Sequence, residues 1–90
     1  MIKPKKQQAP IRIRIHYRDQ HSGPWTNAIR DVHQIPQMGE YFAPAPVKVF
    51  RVVLTLHVLF DADYVAEVFA EAVDFSKVQI KTLGEEVWRG

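Results

Sequence analysis

The sequence predicts a mainly β (or α+β) fold: a small antiparallel sheet or half-open barrel, with room for one short C-terminal helix. Three observations lead there. Residues 11–18, IRIRIHYR, alternate apolar and polar side chains without interruption. Residues 47–60 hold a second run rich in β-branched and aromatic residues, VKVFRVVLTLHVLF. Between the two, Gly and Pro recur at intervals that suit turns better than helix interiors.

Taken in order, residues 1–9 are polar, basic and proline-containing, and Pro10 follows them. That composition suits an extended basic arm, with one β-rich domain over 10–90. In 11–18 the side chains of Ile11, Ile13, Ile15 and Tyr17 point one way, and those of Arg12, Arg14, His16 and Arg18 the other. Ser22, Gly23 and Pro24 then make a turn, and Trp25 to Ile35 regain a less regular alternation that reads as a second strand. Pro36, Gly39, Pro44 and Pro46 mark a turn followed by an extended segment. Prolines cannot donate to a ladder, so this segment belongs at a sheet edge or in a loop. The strand over 47–58 sets Phe50, Val52, Leu54, Leu56 and Val58 on one face, opposite Arg51, Val53, Thr55 and His57.

Residues 61–74, DADYVAEVFAEAVD, admit two readings. A helix would gather Tyr64, Val65, Val68, Phe69, Ala72 and Val73 on one stripe, with Asp61 or Asp63 as N-cap. A strand would alternate Glu67 and Glu71 with Ala66, Val68 and Ala70. Local propensity favours the helix. Farther on, Gly84 fits either the residue after a helix or the turn of a last hairpin.

The succession IPQMGEY, FRVVLTLH and AEVFA resembles short prokaryotic proteins of unassigned function, many of them carried on mobile elements such as integron cassettes. In those, a P-x-x-G-E turn leads into a strand ending in histidine and then into an A-E-V strand. The matching positions are Pro36, Gly39, Glu40, Phe50, Val52, His57 and Ala66 to Val68. Thr55 replaces an aliphatic residue, and FAPAPVK lengthens the path between turn and strand. The resemblance implies a small antiparallel β fold and a strand, in place of the helix, over 65–73.

The charge layout bears on function. Lys3, Lys5, Lys6, Arg12, Arg14 and Arg18 all precede the first acidic residue, Asp19, whereas Asp61 to Asp74 holds five carboxylates and no cation. One reading pairs the two regions, because Arg14 and Arg18 have the same four-residue spacing as Glu67 and Glu71. Within one chain such pairs set register; between chains they would specify a homo-oligomer. A second reading uses Arg12, Arg14 and Arg18, which with His16 form a row spaced about 6.6 Å apart along one face, as the track of a small barrel for single-stranded nucleic acid. Tyr17 and Trp25 would then be available for stacking. A third takes His57 with Trp25, Tyr64 and Trp88 as a small-ligand pocket or interface, since two Trp, three Tyr and five Phe exceed what so short a chain buries deeply.

Other chemistries lack their motifs. His16, His21, His33 and His57 have no metal-ligand spacing, DAD lacks the rest of a calcium loop, and there is no phosphate loop, nucleophile elbow or HExxH helix. The expectation is a non-catalytic protein-interaction module without metal or cofactor, self-associating through its sheet and its basic N-terminal segment. The N-terminus lacks the apolar core of a secretory signal, and no apolar run could span a membrane, so the expected location is the cytoplasm.

Overall fold

A computed structural model describes residues 10–87; the basic arm expected over 1–9 and the side chain of Trp88 lie outside them. The element order is β1 (Ile11–Arg18), β2 (Thr26–Val32), β3 (Tyr41–Ala45), β4 (Lys48–His57), β5 (Ala66–Ala72) and α1 (Phe75–Leu83). The strands form one sheet in the order β2-β1-β5-β4-β3, curled into a half-barrel. Among the described residues no helix is long and apolar enough to cross a membrane.

Hairpins build most of the sheet. β1 and β2 pair antiparallel from Ile11 opposite Val32 to Tyr17 opposite Thr26, across a turn closed by the Gly23 amide on the Gln20 carbonyl at 2.9 Å. β3 with β4 and β4 with β5 are also antiparallel. The two halves are joined by β1 and β5, which run parallel, so the sheet is mixed. The strand over 66–72 overrides helix propensity because it is the central strand, bonded on both sides, and buries Ala66, Val68 and Ala70 completely.

The inner face is the core. Ile13, Val52 and Val68 are its largest fully buried side chains, with Ile15, Phe50, Ala66 and Ala70 around them and Tyr17, Val32 and Phe42 packed at the margin. Each large apolar side chain contributes roughly 1.5–3 kcal/mol by leaving water.

A bulge in β4 corrects the face expected from strict alternation. The register shifts between Val52, opposite Ala70, and Leu54, opposite Phe69. One extra residue, Val53, turns the rest of the strand over. Leu54 and Leu56, expected beside Phe50 and Val52, therefore stand on the outer face, 50% and 51% exposed. Thr55 moves to the inward side opposite Val68, and its hydroxyl donates to the Pro36 carbonyl at 2.7 Å. This accounts for a polar residue where an aliphatic one was expected.

The turns follow local chemistry. Gly39 has φ +90°, its amide donates to the Val52 carbonyl at 2.8 Å, and the Glu40 side chain accepts from the Gln37 amide. At the β3–β4 turn, Pro46 precedes Val47, a β-branched residue held at φ +56°. α1 begins at Asp74, whose carboxylate accepts from the Lys77 amide. It ends at Gly84 with φ +79°.

Candidate interaction face

The outer face of the sheet carries the residues singled out by charge. Alternation along β1 brings Arg12, Arg14, His16 and Arg18 to it, and the parallel register sets Arg14 beside Glu67 and Arg18 beside Glu71. The matched four-residue spacing thus arises within one chain.

The contacts made there differ from residue to residue. Arg18 meets Glu71, with Nη2 and Nε at 2.6 and 2.9 Å from the same carboxylate oxygen, in a part-buried pair. His21 Nδ1 reaches that oxygen at 3.0 Å. The hydrogen bond from Arg18 holds the Glu71 carboxyl below the usual glutamate range; partial desolvation opposes the shift and His21 reinforces it. Arg12 pairs with Asp31 on β2 at 3.1 Å, and the hydrogen bond that its Nε donates to that carboxylate raises the guanidinium pKa above its ordinary value.

Arg14 does not hold the side chain of Glu67. Its Nη2 donates to Asn27 Oδ1 at 3.4 Å, and its guanidinium lies 6.0 Å from the centre of the Tyr64 ring. Glu67 is taken instead by His16, with Nε2 to Oε1 at 2.8 Å. The short imidazole reaches the carboxylate while the longer Arg14 side chain turns toward β2.

Aromatic rings link these pairs. His16 stacks on Phe69 with centroids 4.3 Å apart and planes at 6°. Trp25 meets Phe69 edge-on at 5.6 Å, and Arg18 lies over Trp25 at 4.2 Å. Glu71, Arg18, Trp25, Phe69, His16 and Glu67 form a continuous chain of contacts across β1, β5 and the turn before β2, with Leu54 and Leu56 exposed along its β4 side. Phe69, Leu54 and Leu56 were not singled out from the sequence. For Phe69 the signal was present, since it alternates in step with Glu67 and Glu71; for the leucines the bulge concealed it.

The remaining expected site residues lie elsewhere on the sheet and its loops, with Trp88 outside the described residues. His57 is exposed at the end of β4 opposite Ala66, and the Tyr64 ring lies 6.0 Å from the Arg14 guanidinium. A cleft of about 240 Å³ lies at the end of β1 beside Tyr17, Arg18, Asp19 and Pro24. A second, of about 220 Å³, lies between Tyr41 and α1, lined by Phe75, Val78, Gln79 and Leu83. His57 lines neither. No family model matches this chain, and no curated protein or solved structure matches it significantly.

Proposed function

We propose that this chain is a non-catalytic protein-interaction module of the cytoplasm that self-associates through its sheet. One imbalance carries the reading: three of the four polar side chains on the outer face of β1 are mated to carboxylates inside the chain, while large apolar groups are left in water. Arg12, His16 and Arg18 have carboxylate partners. Ile29, Leu54, Leu56, Leu59 and Phe60 are 49 to 95% exposed. Exposed apolar surface of this kind marks contact with protein. A single-stranded nucleic acid would need free cations along β1, and two of the three arginines named for that role already answer to Asp31 and Glu71.

The test is sedimentation velocity over a wide concentration range at low and high salt. A concentration-dependent dimer or larger species that persists in high salt is expected, because the ion pairs of Arg12 and Arg18 are closed within each chain. A monomer throughout overturns the reading. Binding to mixed single-stranded oligonucleotides that weakens steeply with salt would replace it with the nucleic-acid alternative.

A further inference from the structure

The sheet has two edges, and they are finished differently. β3 is five residues long, contains Pro44, and shifts register against β4 between Phe42 and Ala45. Short length, proline and irregularity are among the devices that stop an edge from recruiting another strand. β2 has none of these. It is seven residues long, lacks proline, and pairs with β1 through seven consecutive positions without a shift. Its only strand partner is β1, so among the described residues the backbone groups on its other side meet no strand.

From this edge we infer that a second copy of the chain docks through β2, antiparallel to the first β2, to form one continuous ten-stranded sheet. The inference rests on the self-association reading and names the surface used. A two-fold axis normal to the sheet keeps outer residues on the outer face, so each candidate register centres on one residue. Centring on Arg30 opposes two guanidiniums, and centring on Asp31 opposes two carboxylates. Centring on Ala28 pairs only part of the strand and leaves Ile29 against Asn27.

Centring on Ile29 uses all seven residues: Ile29 meets Ile29, Asn27 meets Asp31, Ala28 meets Arg30 and Thr26 meets Val32. Ile29, 49% exposed in one chain, becomes covered by its own copy. Asn27 accepts from Arg14 through Oδ1, which leaves its amide hydrogens for the partner's carboxylate. Packing the outer faces against each other is less favourable. It would bury the His16–Glu67 and Arg18–Glu71 pairs along with the leucines, at the desolvation cost of four ionisable groups.

The chain has no cysteine, so single-cysteine variants give a clean test. Under mild oxidation Ile29→Cys should form a covalent dimer at least about tenfold faster than Leu59→Cys, because the paired edge raises the local thiol concentration. Asn27→Cys alone should not cross-link, whereas mixed with Asp31→Cys it should. Ile29→Lys should disperse the dimer, and mixing it with Ile29→Glu should restore it as a heterodimer. A wild-type dimer whose Ile29→Cys variant links no faster than Leu59→Cys overturns the edge inference alone. A wild-type monomer at every concentration overturns both the inference and the proposed function.

Discussion

At the scale of single residues, the pairing of Arg18 with Glu71 ties β1 to β5, and its energetics have a definite pH dependence. Glu71 has a folded pKa below that of an ordinary glutamate, chiefly because Arg18 donates to it. A depressed carboxyl stabilises the fold fully above the ordinary carboxylate range, and that stabilisation disappears as pH falls through the depressed value. His21 acts in the same direction as Arg18 when it is protonated. Glu71→Gln should therefore melt a few degrees below wild type at neutral pH, and the gap should close as the solution is made acidic. Thermal melts of both chains across pH 2 to 8 check this; a gap that stayed constant would mean that Glu71 acts through packing and not through its charge. Arg14 offers a contrast. It has the same register relation to Glu67, yet its side chain holds Asn27 and Tyr64, so register alone does not decide which charges meet.

At the scale of elements, the bulge in β4 decides which leucines belong to the core. If Val53 turns the strand over, Leu54→Thr and Leu56→Thr change stability by no more than about 0.5 kcal/mol each, as surface substitutions do. Ile13→Ala, which empties a fully buried site, costs about 3 kcal/mol. Chemical denaturation of the three variants separates the cases, and a loss at Leu54 or Leu56 close to that at Ile13 would restore unbroken alternation. The same element shows what the sequence discloses and what it hides. Strict alternation in IRIRIHYR identifies β1 and both its faces, and Pro44 with Pro46 places the β3 segment at an edge. The short helix followed by Gly84 is one of two readings the tail allowed. A bulge adds one residue of ordinary composition and leaves no mark in the pattern, so Leu54 and Leu56 look like core. The strand at 66–72 is equally hidden to local rules, because Ala and Glu favour helix and only pairing on both sides makes it a strand. The parallel joining of β1 to β5 is half visible: the spacings of Arg14, Arg18 and Glu67, Glu71 match, but matching spacing does not reveal strand direction.

At the scale of the whole molecule, a single curled sheet with its core on one side cannot cover all the apolar area that 90 residues bring. Adding a strand at β2 answers part of that shortage with backbone hydrogen bonds and an Ile29 contact. It leaves the outer faces of both copies side by side in one plane, with Leu54 and Leu56 of each still open to a further protein. A dimer of this kind couples association to folding, since β2 has to be formed before it can pair. Mass action then requires that the melting temperature rise with protein concentration. Each tenfold increase adds about 1.4 kcal/mol per dimer, or half of that per chain. For a domain of this size that is a rise of roughly 3–6 °C per decade. Calorimetry at two concentrations a decade apart measures it, and repeating the pair in high salt should leave the rise intact, because the sheet's ion pairs are closed within each chain. A melting temperature independent of concentration would mean that the single sheet is stable alone and that the open edge of β2 has no partner in its own kind.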